Sequence, residues 1–296
     1  MRMSEHKTFH QYSETDPLAV TFIGRVDGYR KNEAYTEIVN KSQESGLPGR
    51  AELEHEFSAF EKALKDRDVQ VLIPEYVGKF VYDQLTPRDI AVVIGDRLVL
   101  CNMVKRSRRY EAAGIFSQIA PYVGEGMKVL VPPNGVYLEG GDIVVDRGKI
   151  FVGISQRTNR EGFEWLDSVF GEEFEVVALY TKSIAEDEDV LHLDCTFNPV
   201  GEDAALIYPG GFREIPEILR SYTHWIEVDK TEQQALATNV LSISKKTVIA
   251  RDASSCSRVN REMEKIGLEV VEIPFDAAPS TGGAMRCCSL PLVRVP

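Results

Sequence analysis

Polar or reactive residues recur ahead of apolar segments along this 296-residue chain. Asp89, Asp142, Asp194, Asn239 and Cys287 stand at intervals of about fifty residues, each just before a run with strand composition. This periodicity constrains the fold more than any single motif, because one unit cannot bury its apolar face alone and must stack on its neighbours. Residues 87–100, 140–153 and 237–250 read as hairpins, turned at Gly95-Asp96, Asp146-Arg147-Gly148 and Ser244-Lys245-Lys246. Residues 192–198 and 285–290 lead into strands without a legible return. Helical stretches are expected at 107–119, 161–170, 215–222 and 257–266, and further strands at 129–131, 175–179, 226–228 and 270–273. The chain thus reads as an α/β fold of five ββαβ units in a single domain, 1–296. The fifth unit borrows its return strand or helix from the N-terminal part, where 18–23 and 69–73 read as strands and 51–65 as an amphipathic helix.

A closed ring of such units would bring the residue at each hairpin start to one central mouth. A scaffold would repeat one residue there. This chain changes it from unit to unit: Asp89, then Glu139 and Asp142, then His192 and Asp194, then Asn239, then Cys287. That diversity is what a site assembled from distant segments needs.

The formal net charge of −12 argues against nucleic acid or an anionic membrane as the main partner. The five cysteines are odd in number and show no CxxC spacing, so free thiols and a reducing compartment are expected rather than a disulfide framework or a zinc site. Residues 1–7 lack an apolar core of the signal-peptide kind, and no apolar run approaches the ~18 residues of a membrane span. A cytoplasmic protein is the expectation.

The chemistry concentrates in four places. Gly282-Gly283-Ala284-Met285-Arg286-Cys287-Cys288 sets two thiols behind a flexible backbone and beside a guanidinium, which favours thiolate. If a strand has begun there, the two cysteines face opposite ways, and either is open as the nucleophile. Glu139-Gly140-Gly141-Asp142 flanks a sharp bend with two acids. His192-Leu193-Asp194, read as a strand, puts imidazole and carboxylate on one face. Asp89 starts a strand behind Pro87. Thiol, imidazole and several carboxylates suit a cationic electrophile. Carboxylates grip the N–H groups of a planar guanidinium and leave its carbon open to sulfur.

In order and spacing these motifs resemble the guanidino-group-modifying (pentein) superfamily, which includes arginine deiminases, dimethylarginine dimethylaminohydrolases and amidinotransferases. The likeness runs from about Pro87 onward through Glu139-Gly140-Gly141-Asp142, Val152-Gly153-Ile154-Ser155-Gln156-Arg157-Thr158-Asn159, His192-Leu193-Asp194 and Gly282-Gly283-Ala284-Met285-Arg286-Cys287. It implies a five-bladed pseudo-symmetric α/β propeller. It implies Cys287 as nucleophile, His192 as acid and base, Glu139 as its carboxylate partner, and Asp89 and Asp194 as the guanidinium clamp, with no metal and no cofactor. By a looser analogy Arg286 and Arg106 would hold a substrate carboxylate. The expected partner is a small guanidino compound; homo-oligomer formation is left open. The motifs around Glu139 and Cys287 are of hydrolase type. Pro87-Arg88-Asp89-Ile90, Arg106-Ser107-Arg108 and Cys195-Thr196-Phe197-Asn198 resemble amidinotransferases. A guanidine-binding module without catalysis is a third reading.

Overall fold

The computed structural model of the protein describes residues 8–29, 47–78, 81, 83–123, 129–188 and 190–296; residues 1–7 lie outside these. Among the described residues fifteen strands follow in chain order: β1 (Leu18–Ile23), β2 (Gln70–Leu72), β3 (Ala91–Ile94), β4 (Arg97–Leu100), β5 (Val129–Leu130), β6 (Ile143–Asp146), β7 (Lys149–Ile154), β8 (Glu175–Tyr180), β9 (Phe197–Val200), β10 (Ala204–Ile207), β11 (His224–Glu227), β12 (Leu241–Ser242), β13 (Thr247–Arg251), β14 (Glu269–Ile273) and β15 (Ser289–Arg294). They form five three-stranded sheets: β3-β4-β5, β6-β7-β8, β9-β10-β11, β12-β13-β14 and β15-β1-β2. In every sheet the first pair is antiparallel and the second parallel. The fifth sheet takes its first strand from the C-terminal motif and the other two from the N-terminal part, as the repeat requires.

The first two strands of each sheet are short and largely buried on both faces, whereas the third (β2, β5, β8, β11 and β14) is half-exposed, so each sheet needs cover from two sides over its first two strands. Five apolar clusters supply it, each shared by two sheets. Val92, Ile94 and Val99 meet Ile143, Val145 and Ile150. Val144 and Phe151 meet Phe197, Ala205 and Ile207. Val200 and Leu206 meet Val248 and Ala250. Ile249 and Ile273 meet Leu18 and Ile23, and Val20, Phe22 and Leu290 meet Ala91, Val93 and Leu98. Burial of each large side chain contributes roughly 1.5–3 kcal/mol.

The helix Arg50–Lys65 buries Leu53, Phe57, Phe60 and Leu64, one apolar stripe, and leaves His55 exposed. Phe57 and Phe60 pack against Phe275, tilted and edge-on, with centroids 5.5 and 5.7 Å away. Phe60→Ala would leave a cavity costing about 3–5 kcal/mol. Asn159 caps the helix Arg160–Phe170 by accepting a hydrogen bond from the Gly162 amide.

Several local expectations are corrected. Residues 107–119 are mostly 3-10 turns, with α-helix only at Phe116–Ile119. Arg108 and Glu111 are pulled inward by buried partners, and Gly114 packs so tightly that a Cβ would stand 2.5 Å from the Glu75 carbonyl oxygen. Pro216 precedes a 3-10 turn, Glu217–Ser221, in place of the helix expected at 215–222. The third unit does have its return strand, β10, reached through Gly201 at φ +66°; Pro199 within β9 masked the hairpin.

The leader ahead of β1 is stitched across three sheets. The His10 amide donates to Leu292 and its carbonyl accepts from the Arg294 amide; Gln11 exchanges two backbone hydrogen bonds with Gly95; the Glu14 amide donates to Val145. No helix among the described residues is long and apolar enough to cross a membrane.

Candidate active site

A cavity of about 350 Å³ is lined by residues from every unit of the sequence repeat, among them Asp89, Arg157, His192, Gln233 and Cys287. Each reaches it by a local device. Asp89 sits on the 3-10 turn Pro87–Ile90, with proline fixing φ at the start. Glu139 ends an extended segment just before the 3-10 turn Gly140–Asp142. The glycines there are required by close approach: a Cβ on Gly140 would stand 2.1 Å from the Arg88 carbonyl oxygen, and one on Gly141 2.7 Å from the His192 ring.

His192 and Asp194 do not share a strand face. Residues Leu193–Cys195 form a 3-10 turn, because Asp142 Oδ1 accepts the Leu193 amide at 2.9 Å and bends the chain there. Asp142, also bonded by Ser155 at 2.6 Å, frames the site rather than facing it. Burial raises its pKa to about 7.

The imidazole is the centre of a carboxylate network. His192 Nε2 is 2.8 Å from Glu139 Oε2, and Nδ1 is 3.7 Å from Asp89 Oδ1. Burial opposes the charged ring, but Asp89, Glu139 and Asp142 outweigh it and push its pKa up to about 9. Glu139 is fully buried; despite that burial, the hydrogen bond from His192 and the charge of Arg157 hold its pKa below the ordinary value. Asp89 Oδ2 receives Arg108 Nη1 at 2.6 Å. Asp89 Oδ1 is buried and accepts no hydrogen bond among the described residues. An orphaned carboxylate oxygen at the cavity wall is an acceptor waiting for a donor.

Cys287 lies on a turn, ahead of β15, so the strand premise for the two cysteines does not apply. Its Sγ accepts Asn239 Nδ2 at 3.2 Å, its amide donates to Asn239 Oδ1 at 3.1 Å, and its thiol is 3.6 Å from Asp194 Oδ2. Cys288 points away into an apolar cluster with Met285 and Ile23. Burial, then Asp194 and Asp89, push the Cys287 thiol well up. Arg286 therefore does not provide the thiolate-favouring neighbour expected from sequence.

Arg286 is 1% exposed and absent from the cavity wall; its guanidinium is bound by Asp194 at 2.7 Å, Glu14 at 2.9 Å and the Ile143 carbonyl at 3.0 Å. It is not placed to receive a substrate carboxylate. Arg106 is exposed and also off the wall. The cations on the wall are Lys105, Arg108 and Arg157. Arg108 is held by Asp89, Glu111 and Thr86, and Arg157 Nη1 rests on Glu139 at 3.1 Å. Both belong to runs singled out by sequence, and of the pair Arg106 and Arg108 it is Arg108 that lines the cavity. Asp194 stands behind Cys287, off the wall, and Glu139 stands behind His192. Asp89, Glu139 and His192 hold one ligand atom each within 4.8 Å of one another, a spacing that a metal ion would accept. Those atoms face one another across the charge network just described.

The family described as N,N dimethylarginine dimethylhydrolase, eukaryotic, matches residues 29–294. An uncharacterized protein of Bacillus subtilis, YkgA, is 34% identical over 236 residues, 79% of this chain and 77% of that protein. Among solved structures, the inosamine-phosphate amidinotransferase of Streptomyces griseus superposes with a TM-score of 0.82 at 18% identity, covering 97% of both chains. A variant of the dimethylarginine dimethylaminohydrolase of Pseudomonas aeruginosa complexed with citrulline superposes with a TM-score of 0.75 at 18% identity, covering 93% of this chain and 99% of that one. The family match places the chain among the guanidino-modifying enzymes. Within that class, the chain belongs to the dimethylarginine dimethylhydrolase family of the pentein superfamily.

Proposed function

We propose that this protein hydrolyses a C–N bond in the guanidino group of arginine or an arginine derivative, through a covalent intermediate on Cys287. The observation that carries the reading is the buried Asp89 Oδ1, which accepts no hydrogen bond among the described residues, in a cavity also lined by Cys287 and His192. A guanidinium N–H supplies the missing donor. Its positive charge offsets Asp89 and Asp194, the carboxylates that hold the thiol protonated, so the thiol releases its proton to solvent when the cation binds. The Cys287 thiolate attacks the guanidinium carbon. The C–N bond to the leaving amine breaks as imidazolium His192, steadied by Glu139, gives that nitrogen its proton. Neutral His192 then takes a proton from water, the resulting hydroxide adds to the same carbon, and the C–S bond breaks. Thiolate is regenerated, the added hydroxyl gives its proton to solvent, and a neutral ureido product leaves. Arg157 and Lys105, on the cavity wall, take the substrate's carboxylate.

The hydrolytic reading is supported by the name of the matched family. Amidino transfer is the second reading, favoured by the likeness to an inosamine-phosphate amidinotransferase over nearly the whole chain. The two diverge in one experiment. Incubated with arginine and N-methylated arginines without an amine acceptor, the protein should release citrulline, detected by mass spectrometry. A new guanidino product that appears only when an acceptor amine is added would reject hydrolysis. Cys287→Ser should abolish turnover and Cys288→Ser should retain it. Ligand binding that survives Cys287 alkylation, with no turnover of any compound, would leave only a binding module.

The repeated strand pattern and the five shared apolar clusters support a further part of the proposal, that the sheets close on one another as a five-bladed α/β propeller in a single domain.

A further inference from the structure

Behind the cavity three arginines converge on one carboxylate from the leader. Arg88, Arg286 and Arg294 are all fully buried or nearly so, and Glu14 is 2% exposed among them. Glu14 Oε1 lies 2.9 Å from Arg286 Nη2 and 3.6 Å from Arg88 Nη1. Both arginines go on to the nucleophile's turn. Arg286 Nη1 binds Asp194 Oδ2, the oxygen 3.6 Å from Cys287 Sγ. Arg88 Nε donates to the Arg286 carbonyl, and the Arg88 amide donates to the Cys287 carbonyl, each at 3.2 Å. One arginine thus holds the carboxylate beside the thiol and the other holds the backbone that carries it. An apolar core would fill this space at least as stably, since buried ion pairs gain little over well-packed hydrophobic residues.

We propose that Glu14 is a positioning residue: by holding Arg286 and Arg88 together it sets where Asp194 presents its oxygen to Cys287, and so links the leader to the reactive thiol. The inference rests on the reading of Cys287 as nucleophile. The titratable groups that act on that thiol, Asp194 and Asp89 ahead of Cys195 and Cys288, all oppose its ionisation, against the one hydrogen bond its sulfur accepts from Asn239. Those facing Glu14 are Arg286, Arg88 and Arg294, which hold its pKa below the ordinary value against its burial. Neutralising Glu14 leaves three guanidiniums less compensated behind the turn, and frees Arg286 to draw fully onto Asp194. Ionisation of Cys287 becomes easier while its alignment is lost.

The test is the pH dependence of Cys287 alkylation by iodoacetamide, located by peptide mass, in wild type and Glu14→Gln, beside kcat/KM. The midpoint should move down by about half a unit or more in Glu14→Gln, while kcat/KM falls about tenfold. General loosening of the fold would also lower the midpoint by exposing the thiol, but it would speed alkylation of the buried Cys195 and Cys288 as well, which Glu14→Gln should leave unchanged. Glu14→Asp, with its charge withdrawn by one methylene, should shift the midpoint in the same direction by less. An unchanged or raised midpoint in a folded variant overturns the proposal, and so does failure of both variants to fold, which would make Glu14 a folding determinant. Alkylation needs no guanidino substrate, so a wild-type protein without guanidine turnover would sink the functional reading and still leave this shift to be measured.

Discussion

Gly141 lies against the imidazole of His192: a methyl group on its α-carbon would stand 2.7 Å from the ring's Cγ and Nδ1 and 2.9 Å from Asp89 Oδ1. Neither neighbour can yield, because the ring is fixed by Glu139 and the carboxylate by Arg108. Gly141→Ala should therefore push the general acid and the guanidinium-binding carboxylate apart. We expect kcat/KM to drop by roughly a hundredfold or more, with loss of stability of about 1–3 kcal/mol from overpacking. Steady-state kinetics and urea unfolding on the same preparation check both; wild-type turnover would show that the ring is not locked in place.

Protonated His192 should contribute to folding stability. Its pKa is raised to about 9 in the folded protein and is near 6.5 in an unfolded chain. The contribution is complete below pH ~6.5, shrinks as pH rises toward 9, and is gone above it, a change of about 3 kcal/mol at most. Urea unfolding of wild type and His192→Gln at pH 6, 8 and 10 should show the stability gap narrowing with pH. A gap that does not depend on pH would mean that the ring is neutral in the folded state.

Asn239 holds Cys287 by both sulfur and amide. Asn239→Asp keeps an acceptor for the amide but replaces the donor to sulfur with a negative charge. The alkylation midpoint of Cys287 should rise by about one unit, in the opposite sense to the change expected from Glu14→Gln. Asn239→Ala should raise it less. Reversal of that order would remove the hydrogen bond to sulfur as a stabiliser of thiolate.

Glu56, on the helix Arg50–Lys65, accepts the amides of Asp276, Ala277 and Ala278 at 2.5, 2.5 and 2.9 Å. These amides begin the loop that supplies Pro279, Thr281 and Gly282 to the cavity wall, and Gly282 leaves it at φ +105°. Glu56→Gln loses a charged acceptor for three donors, a cost of roughly 1–3 kcal/mol. We expect KM to rise more than kcat falls, because the wall moves but the reacting groups do not. Equal loss in both parameters would place the effect on the chemistry.

The repeat was legible because strands obey a local rule, alternation and β-branching bounded by turns, and it located Asp89, His192 and Cys287 at unit starts. The choice between Cys287 and Cys288 was not derivable in that way, since the strand begins only at Ser289. The bend after His192 comes from Asp142, 51 residues away from the amide that it accepts, so a strand reading of that motif had no local reason to fail. Arg106 and Arg108 sit on one 3-10 turn, where no helical period says which points inward. Glu14 carries no pattern at all; it meets Arg286 across a separation of 272 residues. Residues recruited by charge over such distances are read from the folded chain alone.

The pairing of β1 with β15 has a consequence for when the thiol becomes competent. Leu18 is registered with Arg294 and Ile23 with Ser289, so the sheet adjoining Cys287 joins segments from opposite ends of the described chain and closes a very long loop. Loop-closure entropy must be met before such a contact returns any stability. During synthesis the other four sheets can form as their segments emerge, but this one waits for the last strand. The protein should acquire its reactive cysteine late in folding, as the final joint is made, and an incomplete chain would carry the imidazole and the carboxylates without an aligned nucleophile.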